Sequence, residues 1–358
     1  MEGQRRSTTP YVRSQTTAFF PLRFPEIGII EDWYYDEAIS GTSPLIRAVY
    51  YRKARDLAVK LRERGWGPIR ISSFLRKVPK IPVPPMTVYN WIKGSKPGTT
   101  QLLITPELGY VVGTVLTDGR RTQNATLTTS DLCHARAFAN ALKGVTGLDY
   151  KIKWDERLKM WAVYLCGTAL RYIVRENLWP IIGVIYPSHF LRALFDGDGG
   201  VGISLSSSWK TFTPVIKLTN SNKLLIRFTR WLLKEKYRIE SRIYELKNQR
   251  VLCIPGTLSN LPSLKKFASE VGFSISWKQE TLLDVIETPE ICRTREKAVK
   301  RWRKLYIKFH YSPRKSKWVK PEWFLNPEYR WYYKEVPERI KKLLGERAAL
   351  PLEHPAPL

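Results

Sequence analysis

Two aspartates, Asp118 and Asp198, stand eighty residues apart, and each closes an apolar stretch that reads as a helix. The first stretch is Tyr110-Val-Val-Gly-Thr-Val-Leu-Thr-Asp118-Gly119; the second is Phe190-Leu-Arg-Ala-Leu-Phe-Asp-Gly-Asp198-Gly199. An acid at a helix C-terminus faces the negative end of the helix dipole, which disfavours its charge. The glycine that follows each acid reads as the left-handed residue that ends the helix. One Asp-Gly of this kind is an ordinary cap. Two, on matching helices, suggest a site that needs paired carboxylates and offsets their cost with a divalent metal. Phosphodiester hydrolysis is chemistry of that kind: the attacking water, the pentacovalent phosphate and the leaving oxygen all gain from a cation held by carboxylates.

The elements that carry the acids suggest how they meet. Gly109, Gly113 and Thr117 recur every four residues along one face of the first helix. Ala193 and Gly197 occupy the matching positions of the second. Small side chains let two helix backbones approach closely, an effect known best from membrane helices. Helices packed through these stripes place Asp118 beside Asp198. The surroundings of the two helices also repeat. Leu127-Thr-Thr-Ser-Asp131 returns as Leu218-Thr-Asn-Ser-Asn222, followed by helical stretches at 132–142 and 223–233. Two strand-like runs follow in each half, at 150–154 and 160–165, then at 238–246 and 250–254. A further helix closes each unit, near 168–177 and 258–271.

Both acid-bearing segments resemble the signature helix of LAGLIDADG homing endonucleases, the second closely and the first more loosely, with Leu116 where that family often has an acidic or small residue. The resemblance spans roughly residues 101–288. It implies an α+β fold of two pseudo-symmetric αββαββα units packed through the signature helices, with two curved antiparallel sheets straddling DNA. It further implies that Asp118 and Asp198 are the catalytic metal-binding acids, that the main chain at Gly119 and Gly199 completes the ligation, and that magnesium is the cofactor, with manganese able to replace it. Asp196 matches the earlier acid of the motif, which is not usually a ligand. The run Gly272-Phe-Ser-Ile-Ser-Trp-Lys278-Gln279 resembles the stretch before the family's last helix, where a basic residue often assists, which makes Lys278 the candidate. The first half has no equal counterpart, because residues 180–187 carry no charge. The expected partner is a long, asymmetric or pseudo-palindromic double-stranded DNA site bound by a monomer. The expected DNA contacts beyond the acids are Arg120, Arg121, Lys210 and Lys217.

One departure bears on readout. Enough residues lie between Asp198 and Leu218 for a full hairpin, 201–207 and 213–218, whereas only eight separate Asp118 from Leu127. The first hairpin is clipped or reduced to a single strand.

Composition agrees with a nucleic-acid partner. Lys and Arg number 60 against 32 Asp and Glu, a formal charge of +28. Such a surplus predicts salt-sensitive phosphate binding, to DNA or RNA. No apolar run is long enough to span a membrane, and the N-terminus lacks a secretory signal, so a cytoplasmic, organellar or nucleoid-associated, free-standing protein is expected. Cys133, Cys166, Cys253 and Cys292 are far apart. Cys133-His134 finds no second pair to complete a zinc set, and the expectation is reduced thiols.

Outside the paired units, residues 1–44 read as a partly ordered extension. Residues 45–97 read as a helix-turn-helix-like domain: Ala54, Leu57, Ala58 and Leu61 keep helical spacing, a short helix fits 69–76, and Met86-Thr-Val-Tyr-Asn-Trp-Ile-Lys-Gly94 reads as a recognition helix. Val88 and Trp91 face its core, while Tyr89, Asn90 and Lys93 face a major groove; the competing assignment is a plain helical cap. Units at 101–187 and 188–288 follow, then a basic aromatic tail at 289–358. Between Glu290 and Lys320 stand twelve Lys or Arg and two acids, interleaved with Trp302, Tyr306, Phe309, Tyr311 and Trp318. A helix over 296–309 is expected there, with aromatics either stacking on unpaired bases or folded onto the core. Function reads as a site-specific, divalent-metal-dependent double-strand endonuclease of homing type. Two other classes compete with it: an RNA-binding maturase acting on intron RNA, and a DNA-binding regulator that no longer cleaves.

Overall fold

The computed structural model describes residues 44–78, 81, 83–95, 102–120, 125–165, 168–175, 178–205, 212–257, 260–292, 294–312 and 315–326, with isolated positions 338, 342 and 344 beyond them. The expectations for residues 1–43, and for Arg121, Cys166 and Lys210, fall outside that set. The chain is α+β, with two separate hydrophobic cores among the described residues.

The smaller core belongs to helices α1 (Pro44–Glu63), α2 (Pro68–Lys77) and α3 (Pro85–Ile92). Ala54, Ala58 and Leu61 of α1 meet Ile71, Leu75, Val88 and Trp91. Proline opens all three helices, where its missing N–H costs nothing. The Pro-rich connection between α2 and α3 is pinned where the Ser72 hydroxyl donates to the Val83 carbonyl at 2.6 Å. Helix α1 packs against α6 (Thr168–Arg175) of the next unit.

The larger core is built around α4 (Pro106–Thr117) and α8 (Pro187–Gly197), each opened by proline and each closed at an aspartate. After α4 come β1 (Gly119–Arg120), β2 (Ala125–Thr129), α5 (Leu132–Thr146), β3 (Ile152–Asp155), β4 (Met160–Leu165), α6 and α7 (Trp179–Ile185). After α8 come β5 (Gly199–Leu205), β6 (Phe212–Asn220), α9 (Lys223–Tyr237), β7 (Arg242–Glu245), β8 (Arg250–Pro255), α10 (Leu261–Glu270) and α11 (Ser276–Ile291). The sheets share one antiparallel order, β1-β2-β4-β3 and β5-β6-β8-β7. They also share a register: Gly119 pairs with Leu127, and Gly199 pairs with Leu218. In each unit the residue after the acid therefore pairs with the leucine that opens the repeated Leu-Thr-x-Ser segment. That segment turns alike in both: the Asp131 N–H donates to the Thr129 hydroxyl at 3.1 Å, and the Asn222 N–H to the Asn220 side-chain oxygen at 2.7 Å. Asp131 and Asn222 then cap the N-termini of α5 and α9.

The hairpins differ. Strand β5 pairs with β6 over seven positions and β1 with β2 over two, so the first hairpin is short.

The described residues from 289 to 326 are folded elements, and the rest of the expected tail lies outside the described set apart from positions 338, 342 and 344. Helix α11 runs through Pro289 to Ile291, followed by α12 (Arg295–Leu305), the hairpin of β9 (Ile307–Ser312) and β10 (Lys315–Val319), and a 3-10 turn, Pro321–Leu325. The helix expected to 309 stops at Leu305 because Ile307 onward pairs with β10. Trp302 and Tyr306 are core: they stack at 4.0 Å and are fully buried, and Trp318, Trp323, Phe309 and Phe324 pack around them. Tyr306 donates to Asp284 and the Trp323 indole to Glu280 at 2.9 Å, both acceptors on α11. Burying these rings gains far more than exposing them, so Trp302 and Tyr306 are not base-stacking platforms. No helix among the described residues is long and apolar enough to cross a membrane.

Candidate active site at the paired helix ends

Helices α4 and α8 touch through their small residues. A Cβ on Gly113 would lie 2.7 Å from the Ala193 Cβ and 2.7 Å from the Phe190 carbonyl oxygen. A Cβ on Gly109 would lie 2.9 Å from the Tyr186 Cβ, and one on Gly197 would lie 2.3 Å from the Thr117 hydroxyl and 3.0 Å from Asp118 Oδ2. The Asp118 carboxylate thus sits against the end of α8, one residue from Asp198.

Gly119 and Gly199 are not left-handed: positive φ among described glycines is confined to Gly65, Gly94, Gly147 and Gly272. The demand for glycine is steric. A Cβ on Gly119 would come within 2.5 Å of the Val115 Cα, and one on Gly199 within 2.5 Å of the Phe195 oxygen. The chain leaves each helix by doubling back against its last turn.

The electrostatics are those of two crowded acids. Asp118 is pushed up to about 6, first by burial and second by the charge of Asp198, with Lys278 drawing it back. Asp198 is also raised by burial, opposed by the Asn220 amide and by Lys278. That amide donates to Asp198 Oδ2 at 2.5 Å.

Asp196 is a different kind of acid. It is 2% exposed, and it accepts from the Tyr110 hydroxyl at 2.7 Å and from the Ser274 N–H at 3.0 Å. It ties α8 to α4 and to the approach to α11. At the matching position of α4, Leu116 is simply buried.

Lys278 is buried, 6% exposed, and its ammonium donates to the carbonyls of Phe195 at 3.2 Å, Asp196, and Gly199 at 2.8 Å. It satisfies carbonyls that the last turn of α8 leaves without partners and adds positive charge at the negative end of the dipole. Burial pulls its pKa down, while Asp196, Asp131, Asp118 and Asp198 push it back up. The Gly199 carbonyl, named as a metal ligand, is an acceptor for Lys278.

Two basic groups near the site were not singled out from sequence. His134 is buried, its Nδ1 is 3.6 Å from Asp118 Oδ2, and its Nε2 is buried without a partner among the described residues. Burial, reinforced by the charge of Lys278, lowers it to about 3, so the imidazole is neutral. Lys317, on β10, lies close by: its ammonium is 5.2 Å from the Trp277 ring, whose indole donates to Asp131 at 2.7 Å. Burial lowers Lys317 to about 8. Adjacency of His134 to a cysteine hid the first, and residence in a segment read as a tail hid the second.

The remaining candidates are spread out. Lys217 is exposed on the open face of the second sheet, in register through Cys253 with exposed Arg242. Arg120 lies in β1. Tyr89, Asn90 and Lys93 are exposed together on α3, with Val88 and Trp91 buried beneath them. Cys133, Cys253 and Cys292 are free thiols.

Part of the chain is similar to known proteins. Residues 186–272 match the family model described as LAGLIDADG-like domain. A Methanocaldococcus jannaschii protein, MJ0398, itself uncharacterised, is 26% identical over 263 residues, 64% of this chain and 91% of that one. Among solved structures, the N-terminal LAGLIDADG domain of DUF199/WhiA is similar at TM-score 0.34 and 18% identity, covering 46% of this chain and 83% of that one. I-DmoI in complex with DNA and Mn is similar at TM-score 0.36 and 14% identity, covering 48% and 98% respectively. The segment similar to the LAGLIDADG-like domain model thus spans helix α8, the second sheet and the helices that flank it to residue 272.

Proposed function

We propose that the chain is a site-specific double-strand DNA endonuclease that depends on a divalent metal. The observation that carries this is the carboxylate pair: Asp118 and Asp198 end two helices in contact, and the charge of one raises the pKa of the other. The donors fit a hard cation, since both acids offer oxygen and Lys278 is already bound to three carbonyls. Magnesium, or manganese in its place, held by Asp118 and Asp198, would supply charge to the scissile phosphate and an activated water.

The chain's own residues do the rest. Asn220 fixes one oxygen of Asp198 and leaves the other to face a ligand. Lys278 locks the end of α8, so Asp198 does not drift when charge accumulates nearby. Asp196 clamps α8 to Tyr110 of α4 and to Ser274, keeping the two acids in register. The surplus of 60 basic over 32 acidic residues supplies phosphate affinity. Lys217 and Arg242 on the second sheet, Arg120, and Tyr89, Asn90 and Lys93 on α3 are the proposed contacts.

One observation favours a second reading, a nucleic-acid binder that does not cut: Lys278 holds the Gly199 carbonyl at 2.8 Å, where cleavage would want a ligand. Cleavage of a randomised DNA library in magnesium separates the two. Asp118→Asn and Asp198→Asn should each stop cutting of one or both strands while binding in calcium persists. A double Asn variant that cuts at the parental rate refutes the endonuclease.

A further inference from the structure

The two carboxylates are held by residues that do not correspond in the repeat. In the second unit the Asn220 side chain serves twice, accepting from Asn222 through Oδ1 and donating to Asp198 through Nδ2. Its counterpart, Thr129, has one polar side-chain atom, and that atom accepts from Asp131. What stands beside Asp118 instead is His134, three residues into α5, where the second unit has the apolar Leu225.

The geometry points to His134 as a positioning residue for Asp118, carrying its proton on Nδ1 and aiming it at the carboxylate, as the Asn220 amide does for Asp198. A neutral imidazole has one N–H, and the tautomer follows from its surroundings. Nε2 is buried with no partner among the described residues. A proton there would be an orphaned buried N–H, which native proteins rarely tolerate. A proton on Nδ1 faces Asp118 Oδ2 at 3.6 Å, an electrostatic contact just beyond hydrogen-bond length. His134 is not itself a metal ligand here, because a ligating imidazole hands its other N–H to an acceptor, and Nε2 meets none. The two half-sites are therefore chemically different.

This rests on the endonuclease reading for its consequence but not for its geometry, so the test has two readouts. The first is nitrogen-15 NMR of the metal-free protein at neutral pH. It should show a proton on Nδ1 of His134, and the resonance should shift in Asp118→Asn. A proton on Nε2 with Nδ1 bare overturns the assignment. The second is cleavage of a strand-labelled substrate in magnesium, with Asp118→Asn identifying the strand that Asp118 serves. His134→Leu, which installs the residue of the second unit, should slow that strand by about tenfold or more, the range for a residue that orients a catalytic ligand, and leave the other within about twofold. His134→Gln, which restores a donor, should recover part of the rate. Equal slowing of both strands, or of neither, overturns the proposal. A parent protein that cuts neither strand defeats the endonuclease reading alone, and the tautomer still decides the role of His134.

Discussion

A single methyl group at the helix crossing should unsettle both stability and chemistry. Replacing Gly113 by alanine places a carbon 2.7 Å from the Ala193 Cβ and 2.7 Å from the Phe190 carbonyl oxygen. Carbon atoms at rest sit about 3.5–4.0 Å apart, so α4 and α8 must separate by about 1 Å or tilt. Overpacking of this kind costs about 1–3 kcal/mol. At about 2 kcal/mol in a cooperative unit of this size, thermal unfolding should move down by about 4–8 °C. The same displacement acts where Asp118 meets the end of α8, and misplacement by about 1 Å can cost about 100-fold in rate. The compensating change is Ala193→Gly, which removes the methyl group struck by the new one and leaves the Phe190 oxygen in place. The double variant should thus regain part of the stability, with a coupling energy of about 0.5 kcal/mol or more. Denaturant unfolding of the parent, both single variants and the double variant measures this cycle. A Gly113→Ala protein as stable as its parent, or a double variant showing no coupling, would mean that the helices do not cross through these residues.

Three other outcomes follow from the same geometry. Lys278→Met should cost about 3–5 kcal/mol, the range for removing one partner from a buried charged cluster, because it strips three carbonyls of their donor and leaves Asp196 uncompensated; chemical denaturation reads it, and a loss below about 1 kcal/mol would place Lys278 at the surface. The pH profile should contain two opposing slopes. Asp118, raised to about 6, keeps its proton longer in the folded state, so its contribution falls as pH rises from its ordinary value to about 6. His134, lowered to about 3, binds fewer protons when folded, so its contribution falls as pH drops from its ordinary value towards 3. Asp118→Asn in metal-free buffer should remove the first slope and leave stability rising more steeply between about pH 4 and 6; an unchanged profile would show that Asp118 is not crowded. On α3, Lys93→Ala should weaken DNA binding and lower the salt slope by about 1, whereas Asn90→Ala should alter sequence preference; footprints identical to the parent would leave residues 44–95 as a cap on the first unit.

Much of the architecture can be read along the chain because it is written in local signals. The acids end their helices where an apolar run meets Asp-Gly, and the repeated Leu-Thr-x-Ser segment marks equivalent strands, since identical turn chemistry imposes identical register. The spacing of Gly109, Gly113, Ala193 and Gly197 marks the face on which the helices meet, because a helix brings every fourth residue to one side. Charge balance likewise gives the expectation of a polyanionic partner, as it depends only on counting. What the tertiary structure alone decided are the contacts between residues far apart in sequence. Lys278 and the carbonyls of Phe195 and Asp196 are joined across more than eighty positions, and no local pattern distinguishes a lysine that caps a helix from one that faces solvent. His134 acquires a role only when α5 packs beside Asp118, and Lys317 only when the last hairpin folds back over Trp277. Trp302 and Tyr306 look alike in sequence whether they stack on bases or on each other; burial is settled by what else is available to cover them, and that is a property of the assembled core.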